Sequence, residues 1–380
     1  MDKKINKKLF VFGIRGIPNV QGGVERHCES LYPLLSSHYK ITIFRRKSYI
    51  NDNNKQWQDI RFIDLPSTKI KGFETVLHSF LSAIICIAQR PIIVHIHNIG
   101  PGLFTPLLRL FGLKVVITYH SPNYEHSKWN YWQKKLLIFS EFCALNFANQ
   151  AIFVNKTQCE KIGAKYSCKS NWIPNGVKPS IFSESREYIQ SLGLTEKKYI
   201  LAVGRITPEK GFDYLIKAYK HLKNKDFKLV IAGDSDHSTA FSKQMIKEAQ
   251  DNNVILTGFV TGDSLYQLYT HAQLFVLPSF HESLSMSLLE AMSYNLDILV
   301  SNIPANKEIN LPENCYFTCG DWNNLYLKLN KQLSIKETPA YDLSLYDWNN
   351  IALQTLDVYK KIFLSDSWSA LSCFVLLSSF

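Results

Sequence analysis

The sequence predicts an α/β protein made of two Rossmann-like domains, each a parallel sheet covered on both faces by helices, facing one another across a cleft. Three observations lead there. Short apolar, β-rich runs recur along the chain with helical patterns between them. Those runs are continuous rather than alternating, which is how a strand reads when both faces of its sheet are covered. A chain of 380 residues is also too long for one ordinary core and fits two of common size.

The expected strands of the first set span 9–13, 41–45, 92–97, 115–119 and 150–154. Those of the second set span 199–203, 228–232, 254–256, 274–277 and 298–300. Between the sets lies Trp172-Ile173-Pro174-Asn175-Gly176-Val177, where a proline and an Asn-Gly turn end strand propagation. This places a first domain over 1–178 and a second over 179–344. Residues 76–88 are apolar around His78, but fall short of the ~18–20 residues a spanning helix needs, so a buried helix is expected. Residues 128–148 mix Trp129, Tyr131, Trp132, Phe139, Phe142 and Phe147 with Lys128, Lys134 and Lys135. That composition suits a helix lying on an interface, and an amphipathic core helix equally well. A last helix over 345–364 carries Trp348, Ile351, Leu353, Leu356, Val358, Tyr359 and Ile362 at mainly helical spacing and is expected to pack back on the first domain. The tail 365–380 is apolar and serine-rich with no helical period, and its role stays open.

With 46% apolar and 20% charged residues the chain is expected to be globular. Its eight cysteines fall mostly inside apolar segments, without a Cys-x-x-Cys pair or a signal-peptide pattern ahead of them, which reads as reduced core residues in a cytoplasmic protein. The formal charge of +11 is unevenly spread: residues 1–178 carry +15 and residues 179–380 carry −4. A basic half of this kind meets nucleic acid, anionic lipid or a phosphorylated substrate, or is simply a solvated lysine-rich surface, and charge alone does not choose. No recognisable nucleic-acid-binding module accompanies it, which disfavours nucleic acid.

After the first strand comes Gly13-Ile14-Arg15-Gly16, and then Gly22-Gly23-Val24-Glu25. This is not Gly-x-Gly-x-x-Gly, and the second strand ends in Phe44-Arg45-Arg46 without an acidic ribose ligand, so a dinucleotide dehydrogenase is disfavoured. Gly22-Gly23 ahead of a helix can bring bare backbone N–H groups against a phosphate, although alone such a pair is more often only a turn. The second domain opens with Val203-Gly204-Arg205-Ile206-Thr207-Pro208-Glu209-Lys210-Gly211. A guanidinium fork and an ammonium five residues apart on a strand-to-helix loop can hold a diphosphate, and are otherwise two surface cations. In the run from Phe280 to Met292, Glu282 falls on the loop after a strand and Glu290 on the next helix. Eight helical residues turn through about 800°, so the two would not stack on one helical face; both can still reach a ligand over that helix's N-terminus. His120 follows a strand at the carboxyl edge of a sheet, where ligands bind. His95 and His97 share one strand face, but no third ligand follows at a helical or strand spacing, so core or cleft histidines are expected rather than a metal site.

Taken together, Gly22-Gly23-Val24-Glu25, Thr118-Tyr119-His120, Ile173-Pro174-Asn175-Gly176-Val177, Val203-Gly204-Arg205 through Lys210-Gly211, and Glu282 through Glu290-Ala291-Met292 resemble the retaining glycosyltransferases of family 4, which have the GT-B fold. The resemblance runs from about residue 9 to 364, with five motifs in order. Residues 118–129 and 301–306 are similar to bacterial members that build surface polysaccharides, including rhamnosyltransferase-like ones. The resemblance implies that Gly22 and Gly23 contact the donor through backbone N–H groups, and that Arg205 and Lys210 clamp its diphosphate. It implies that Glu290 takes the ribose hydroxyls, that Glu282 faces the donor sugar, and that amides of Leu284, Ser285, Met286 and Ser287 add phosphate contacts. His120 would lie beside the reacting sugar. No cofactor and no bound metal are implied, because the Arg/Lys clamp replaces the cation. Ser285 stands where relatives often carry glycine, narrowing the space near the phosphates. Asn295 replaces a common glycine after the helix and is the next-best residue for a left-handed cap.

The activity so implied is transfer of a hexose or deoxyhexose from a UDP-, GDP- or dTDP-linked donor to a lipid-linked oligosaccharide, in O-antigen, capsule or exopolysaccharide synthesis. The enzyme would be cytoplasmic and peripheral on the inner face of the plasma membrane, its basic domain meeting anionic lipid at roughly 1 kcal/mol per cation. Acceptor selection would fall to the first domain's loops at 45–58, 69–74 and 122–132. A nucleotide-sugar epimerase of the same fold, which needs no acceptor, is the alternative enzyme; a basic nucleic-acid-binding protein is the alternative from another class.

Overall fold

The computed structural model describes residues 7–68, 73–122, 124, 129–166, 168–235, 239–334 and 340–364. The described chain divides into two bodies. One holds residues up to 20, then 24–174, and those from 348 onward; the other holds 21–23 and 175–347. The breaks fall at 174/175 and 347/348.

The first body contains β1 (Lys8–Phe12), β2 (Lys40–Arg46), β3 (Gln56–Trp57), β4 (Ile60–Leu65), β5 (Ile93–His97), β6 (Val115–Tyr119), β7 (Gln150–Phe153) and β8 (Ser170–Trp172). They form one sheet in the order β3-β4-β2-β1-β5-β6-β7-β8, parallel except for the edge strand β3. All five expected strands are present. The sequence missed β4 because Arg61 and Asp64 interrupt its apolar run, and missed β8 because Ser170-Asn171-Trp172 is a short, polar edge.

Arg61 and Asp64 lie on a strand that serves Arg45. Arg45 is fully buried on β2. It donates from Nε to Asp64 Oδ1 at 2.7 Å and from Nη2 to Oδ2 at 3.1 Å. It also donates to the carbonyls of Ile17 at 3.2 Å and Asn54 at 2.9 Å, and lies 4.0 Å from the Phe62 ring centroid. A buried guanidinium is tolerated only when its donors are answered in this way. Arg45 therefore fastens the loops on either side and is not an exposed member of the acceptor-selecting loop 45–58.

The second body contains β9 (Tyr199–Val203), β10 (Lys228–Ala232), β11 (Ile255–Gly258), β12 (Leu274–Leu277), β13 (Asp297–Ser301) and β14 (Tyr316–Phe317), ordered β11-β10-β9-β12-β13-β14 and all parallel. Alternate residues of each strand feed two separate cores. Tyr199, Leu201, Val230, Phe275 and Ile298 pack on one face, and Ile200, Ala202, Leu229, Leu274 and Leu299 on the other. Both faces being apolar is why these strands read as unbroken runs. Only β14, two residues long, escaped the sequence reading.

Helices depart from expectation in two places. The helix Phe73–Gln89 is not wholly buried: His78, Ser79, Ser82, Ala83 and Cys86 face inward, and Phe80 and Ile84 are exposed. Small residues suit the close approach on the inner side, Leu81, Ile85 and Ile87 flank it against the core, and only part of the apolar surface turns outward. The helix Trp348–Leu364 packs in the first body through Trp348, Ile351, Leu356, Val358, Tyr359 and Ile362, whereas Leu353 is exposed. Asn295 adopts φ +52°, the left-handed cap expected of it. The seven described cysteines are free thiols, and Cys373 with the tail 365–380 lies outside the described residues.

Removing Arg45 leaves Asp64 beneath the surface without its main partner. Arg45→Ala is expected to cost roughly 3–5 kcal/mol, read as a lower urea midpoint. Burial raises the Asp64 carboxyl, but hydrogen bonds from Arg45 and Lys55 outweigh it and hold the group below its ordinary value. A depressed acid stabilises above its unfolded pKa, so this contribution is lost as pH falls through the folded value; the acid-side loss should shrink in Asp64→Asn.

Candidate functional sites

In the second sheet β9 is the first strand laid down, and the chain then builds outward from it in both directions, to β10 and β11 and to β12, β13 and β14. Loops leaving β9 and β12 therefore diverge to opposite faces and leave a crevice at their carboxyl ends. These two loops hold Arg205, Lys210 and Glu282, and they are joined directly. Lys210 Nζ lies 2.5 Å from Glu282 Oε1, both side chains being largely shielded from water. Ser279 Oγ donates to the same carboxylate oxygen at 2.7 Å. Phe280 N donates to the Glu209 carbonyl at 2.9 Å, and the Tyr214 hydroxyl to the Pro278 carbonyl at 2.5 Å. Gly211 adopts φ +65°, and a Cβ there would run into the Pro278 carbonyl. Behind the loop, Ser301 Oγ donates to the Ser279 carbonyl at 2.5 Å, and Asn306 Nδ2 supports Ser301. Glu282 thus meets Lys210 instead of standing open toward a ligand, and Arg205 is half-buried on the same loop.

The helix that follows, Met286–Ser293, is capped by Ser285 without a side-chain hydrogen bond to its amides. Asn175 Nδ2 donates to the Leu284 carbonyl at 3.1 Å, and the Ser285 and Ser287 hydroxyls lie 3.1 Å apart. Glu290 sits one turn in and accepts from the Tyr269 hydroxyl at 2.9 Å. Gly22 and Gly23 come to this body from the far end of the sequence. Gly22 adopts φ +148°, and a Cβ on Gly23 would stand 3.9 Å from the Met286 side chain. Their neighbour Gln21 donates from Nε2 to the Asp234 carbonyl at 3.3 Å. Beside Asp234 is an open recess lined by Ile206, Gly233, Ile246, Val254, Leu256 and Gly258. The structure so gathers Gly22, Gly23, Arg205, Lys210, Glu282, Leu284, Ser285, Met286, Ser287 and Glu290 in one body. The recess was not read from the sequence, because its lining comes from four separate segments.

The sequence carries an Asp-x-Asp triplet, Asp234-Ser235-Asp236, so the expectation of no metal rests on the Arg205–Lys210 clamp alone. The Asp234 carboxylate accepts from Ser235 N at 2.7 Å, and Asp236 lies outside the described residues.

His120 belongs to the other body, directly after β6. Its Nε2 lies 2.9 Å from His97 Nδ1, at the end of β5. The His27 ring, on the helix Gly23–Leu35, stands edge-on 5.1 Å from that of His120 and 5.3 Å from Trp348. His27, His97 and His120 each place a ring nitrogen within 4.8 Å of the others. A third ring does therefore join the strand histidines, supplied by a helix some seventy residues earlier, which local spacing cannot reveal. Burial pulls His97 and His120 well below the ordinary histidine value, and holds His95 at about 3. All three rings are neutral at pH 7.

The first body also carries an exposed aromatic face. On the helix Tyr131–Phe147, Trp132 is 77% exposed, and Tyr131, Leu136, Ile138 and Phe139 are exposed with it. Lys134 and Lys135 share this helix, and its one acidic residue, Glu141, is buried between the hydroxyls of Tyr119 and Tyr166, each at 2.7 Å. The helix packs against Pro101–Phe104 and Thr105–Leu110, as does the helix Phe73–Gln89, and Phe80, Ile84 and Leu110 on these neighbouring helices are exposed as well. Among the described residues no helix is long and apolar enough to cross a membrane. Lys128 and most of 123–128 lie outside the described residues.

Residues 184–341 match the family model described as glycosyl transferases group 1, and residues 21–181 match that described as glycosyltransferase family 4. An uncharacterised glycosyltransferase of Methanocaldococcus jannaschii is 30% identical over 239 residues, covering 56% of this chain and 60% of its own length. The phosphatidylinositol N-acetylglucosaminyltransferase GPI3 subunit of Saccharomyces cerevisiae is 26% identical over 271 residues, covering 66% of this chain and 58% of its own. The chain thus spans about three fifths of the length of these relatives. Among solved structures, Anabaena HepE in complex with UDP superposes with a TM-score of 0.71 at 15% identity, over 93% of this chain and 100% of that one.

Gly211→Ala should cost about 1–3 kcal/mol through its left-handed φ and its clash with the Pro278 carbonyl. An unchanged thermal midpoint would show that the two loops are not held as described.

Proposed function

We propose that this chain, which belongs to the glycosyltransferases of family 4 and has the GT-B fold, is a retaining hexosyl- or deoxyhexosyltransferase. It takes its sugar from a nucleotide diphosphate donor and passes it to a lipid-linked saccharide. The observation that carries this reading is the meeting of the Arg205–Lys210 loop with the Glu282 loop at the switch point of the second sheet.

Arg205 and Lys210 supply positive charge where a diphosphate leaves, and the amides from Leu284 to Ser287 open a helix toward the same charge. Gly22 and Gly23 present backbone without side chains beside Met286. Glu290, fixed by Tyr269, is a hydrogen-bond acceptor suited to ribose hydroxyls. The recess by Ile206 and Leu256 is apolar and open enough for a flat base. In the transfer, the bond from the anomeric carbon to the phosphate oxygen breaks and a bond to the acceptor oxygen forms on the same face. The acceptor's proton passes to the departing diphosphate, which is why no carboxylate is needed as nucleophile. Glu282, paired with Lys210 and Ser279, positions the lysine and lies next to the sugar. HepE is solved in complex with UDP, and the GPI3 relative is a subunit of a phosphatidylinositol N-acetylglucosaminyltransferase; both agree with a nucleotide donor and a lipid-borne acceptor.

A bilayer surface is the partner proposed for the aromatic face. Trp132, Phe139, Leu110 and Phe80 offer apolar depth, and Lys134 and Lys135 offer charge to anionic headgroups. On this reading the enzyme works at the inner face of the membrane, in O-antigen, capsule or exopolysaccharide synthesis.

Arg205→Ala, Lys210→Ala and Glu290→Ala should each lower transfer by about a hundredfold, or ~3 kcal/mol, with the fold retained by circular dichroism. Near-normal turnover in all three would remove the site assignment. Thermal-shift screening of UDP, GDP, ADP and dTDP should find one stabilising nucleotide, and product formed without acceptor would point to an epimerase. Vesicles of anionic lipid should carry the protein upward in a flotation gradient at low salt, and less so for Trp132→Ala combined with Phe139→Ala; no flotation at any salt would rule the bilayer out.

A further inference from the structure

Buried side chains of the first body form one hydrogen-bonded chain that ends at His120, and its distances favour one direction for the protons. Thr118 Oγ1 lies 2.7 Å from His95 Nε2. The Tyr359 hydroxyl, on the last helix, lies 2.6 Å from His95 Nδ1. The Tyr32 hydroxyl lies 3.0 Å from that same nitrogen but 2.6 Å from His97 Nε2. Cys28 Sγ stands 3.5 Å from His97 Nε2, and His97 Nδ1 is 2.9 Å from His120 Nε2.

A neutral imidazole has one N–H and one lone pair, and a phenol has one proton to give. Burial keeps the tyrosines and Cys28 protonated as firmly as it keeps the rings neutral. Tyr32 donates to the nearer ring nitrogen, His97 Nε2, which the Cys28 thiol also faces, so that nitrogen carries the lone pair. The His97 proton is then on Nδ1 and is given to His120 Nε2. At the other end Tyr359 donates to His95 Nδ1, and His95 Nε2–H donates to Thr118. In the reverse order the 2.6 Å contact of Tyr32 with His97 Nε2 would be an N–H···O bond shorter than such bonds usually are, and the thiol would face an N–H.

We propose that this chain holds His120 as the Nδ1–H tautomer, a fixed hydrogen-bond donor, with Tyr32 and His97 as the positioning residues that set it. His120 then holds a hydroxyl or a developing negative charge through Nδ1 and cannot act there as a base. A partner on one ring nitrogen deciding the role of the other is general to histidine sites. A metal held between His97 and His120 would displace the proton that joins them, so the two states exclude one another. The consequence for transfer rests on the reading of His120 as a site residue; the tautomer does not.

Long-range proton–nitrogen correlation spectra of 15N-histidine-labelled protein, assigned with His120→Gln and His97→Gln, test this. A protonated Nδ1 and bare Nε2 at His120 is the expected result. In Tyr32→Phe the pattern at His97 and His120 should change, and kcat should fall by about two orders of magnitude with the donor KM unaltered. Tyr359→Phe, which removes the hydroxyl beside His95 Nδ1 and Tyr32 but leaves the Tyr32–His97 contact in place, should leave His120 as it was. A proton on His120 Nε2 in the parent protein, an unchanged pattern in Tyr32→Phe, or a zinc titration that shifts His97 and His120 together and is lost in His27→Ala would each overturn the proposal. The parent spectrum decides even if Tyr32→Phe does not fold. Full turnover in His120→Ala beside the expected spectrum would sink the functional reading and leave the tautomer standing.

Discussion

Parallel strands must be joined by crossovers, and crossovers are right-handed, so a sheet that grows outward from its first strand in two directions sends its helices to opposite faces. In both bodies this leaves one crevice at the strand carboxyl ends, between β9 and β12 in one and between β1 and β5 in the other. Every candidate site side chain described here lies on or near a loop or helix start at a carboxyl edge. The constraint is backbone geometry; the chemistry is what the sequence placed at those edges.

The two bodies furnish their edges in opposite ways. The second has charge: Arg205, Lys210, Glu282 and Glu290, partly exposed, with Lys210 and Glu282 already paired. A pair formed beforehand keeps the ammonium in place and reduces the ordering cost when an anion arrives. The first has neutral rings, buried and joined by single hydrogen bonds. Charge at such depth would go uncompensated, whereas tautomers cost little and still carry direction. One edge is suited to holding a charged group and the other to orienting a neutral one.

Much of the fold was legible because burial on both faces writes strands as apolar runs, and ten of the fourteen are of that kind. The others were not, for reasons visible in their residues. β4 is interrupted by Arg61 and by Asp64, the partner of buried Arg45. β3, β8 and β14 are two or three residues long and gain their identity only by pairing. Glycine, proline and charge spacing marked the candidate site loops, and Asn295 was read correctly as a left-handed cap. The ion pair of Lys210 with Glu282 was not visible, because 72 residues separate them.

By itself the sequence determined two parallel-sheet domains and which loops carry cations, glycines and carboxylates, since each of these is written in neighbouring residues. Only the tertiary structure decided which of those groups touch. It turned Arg45 from a loop cation into a buried brace, exposed the aromatic stripe of Tyr131–Phe147, and joined His27, Tyr32, His95, His97, His120 and Tyr359 in one buried cluster. Contacts between distant segments depend on register and burial, and neither has a local signature.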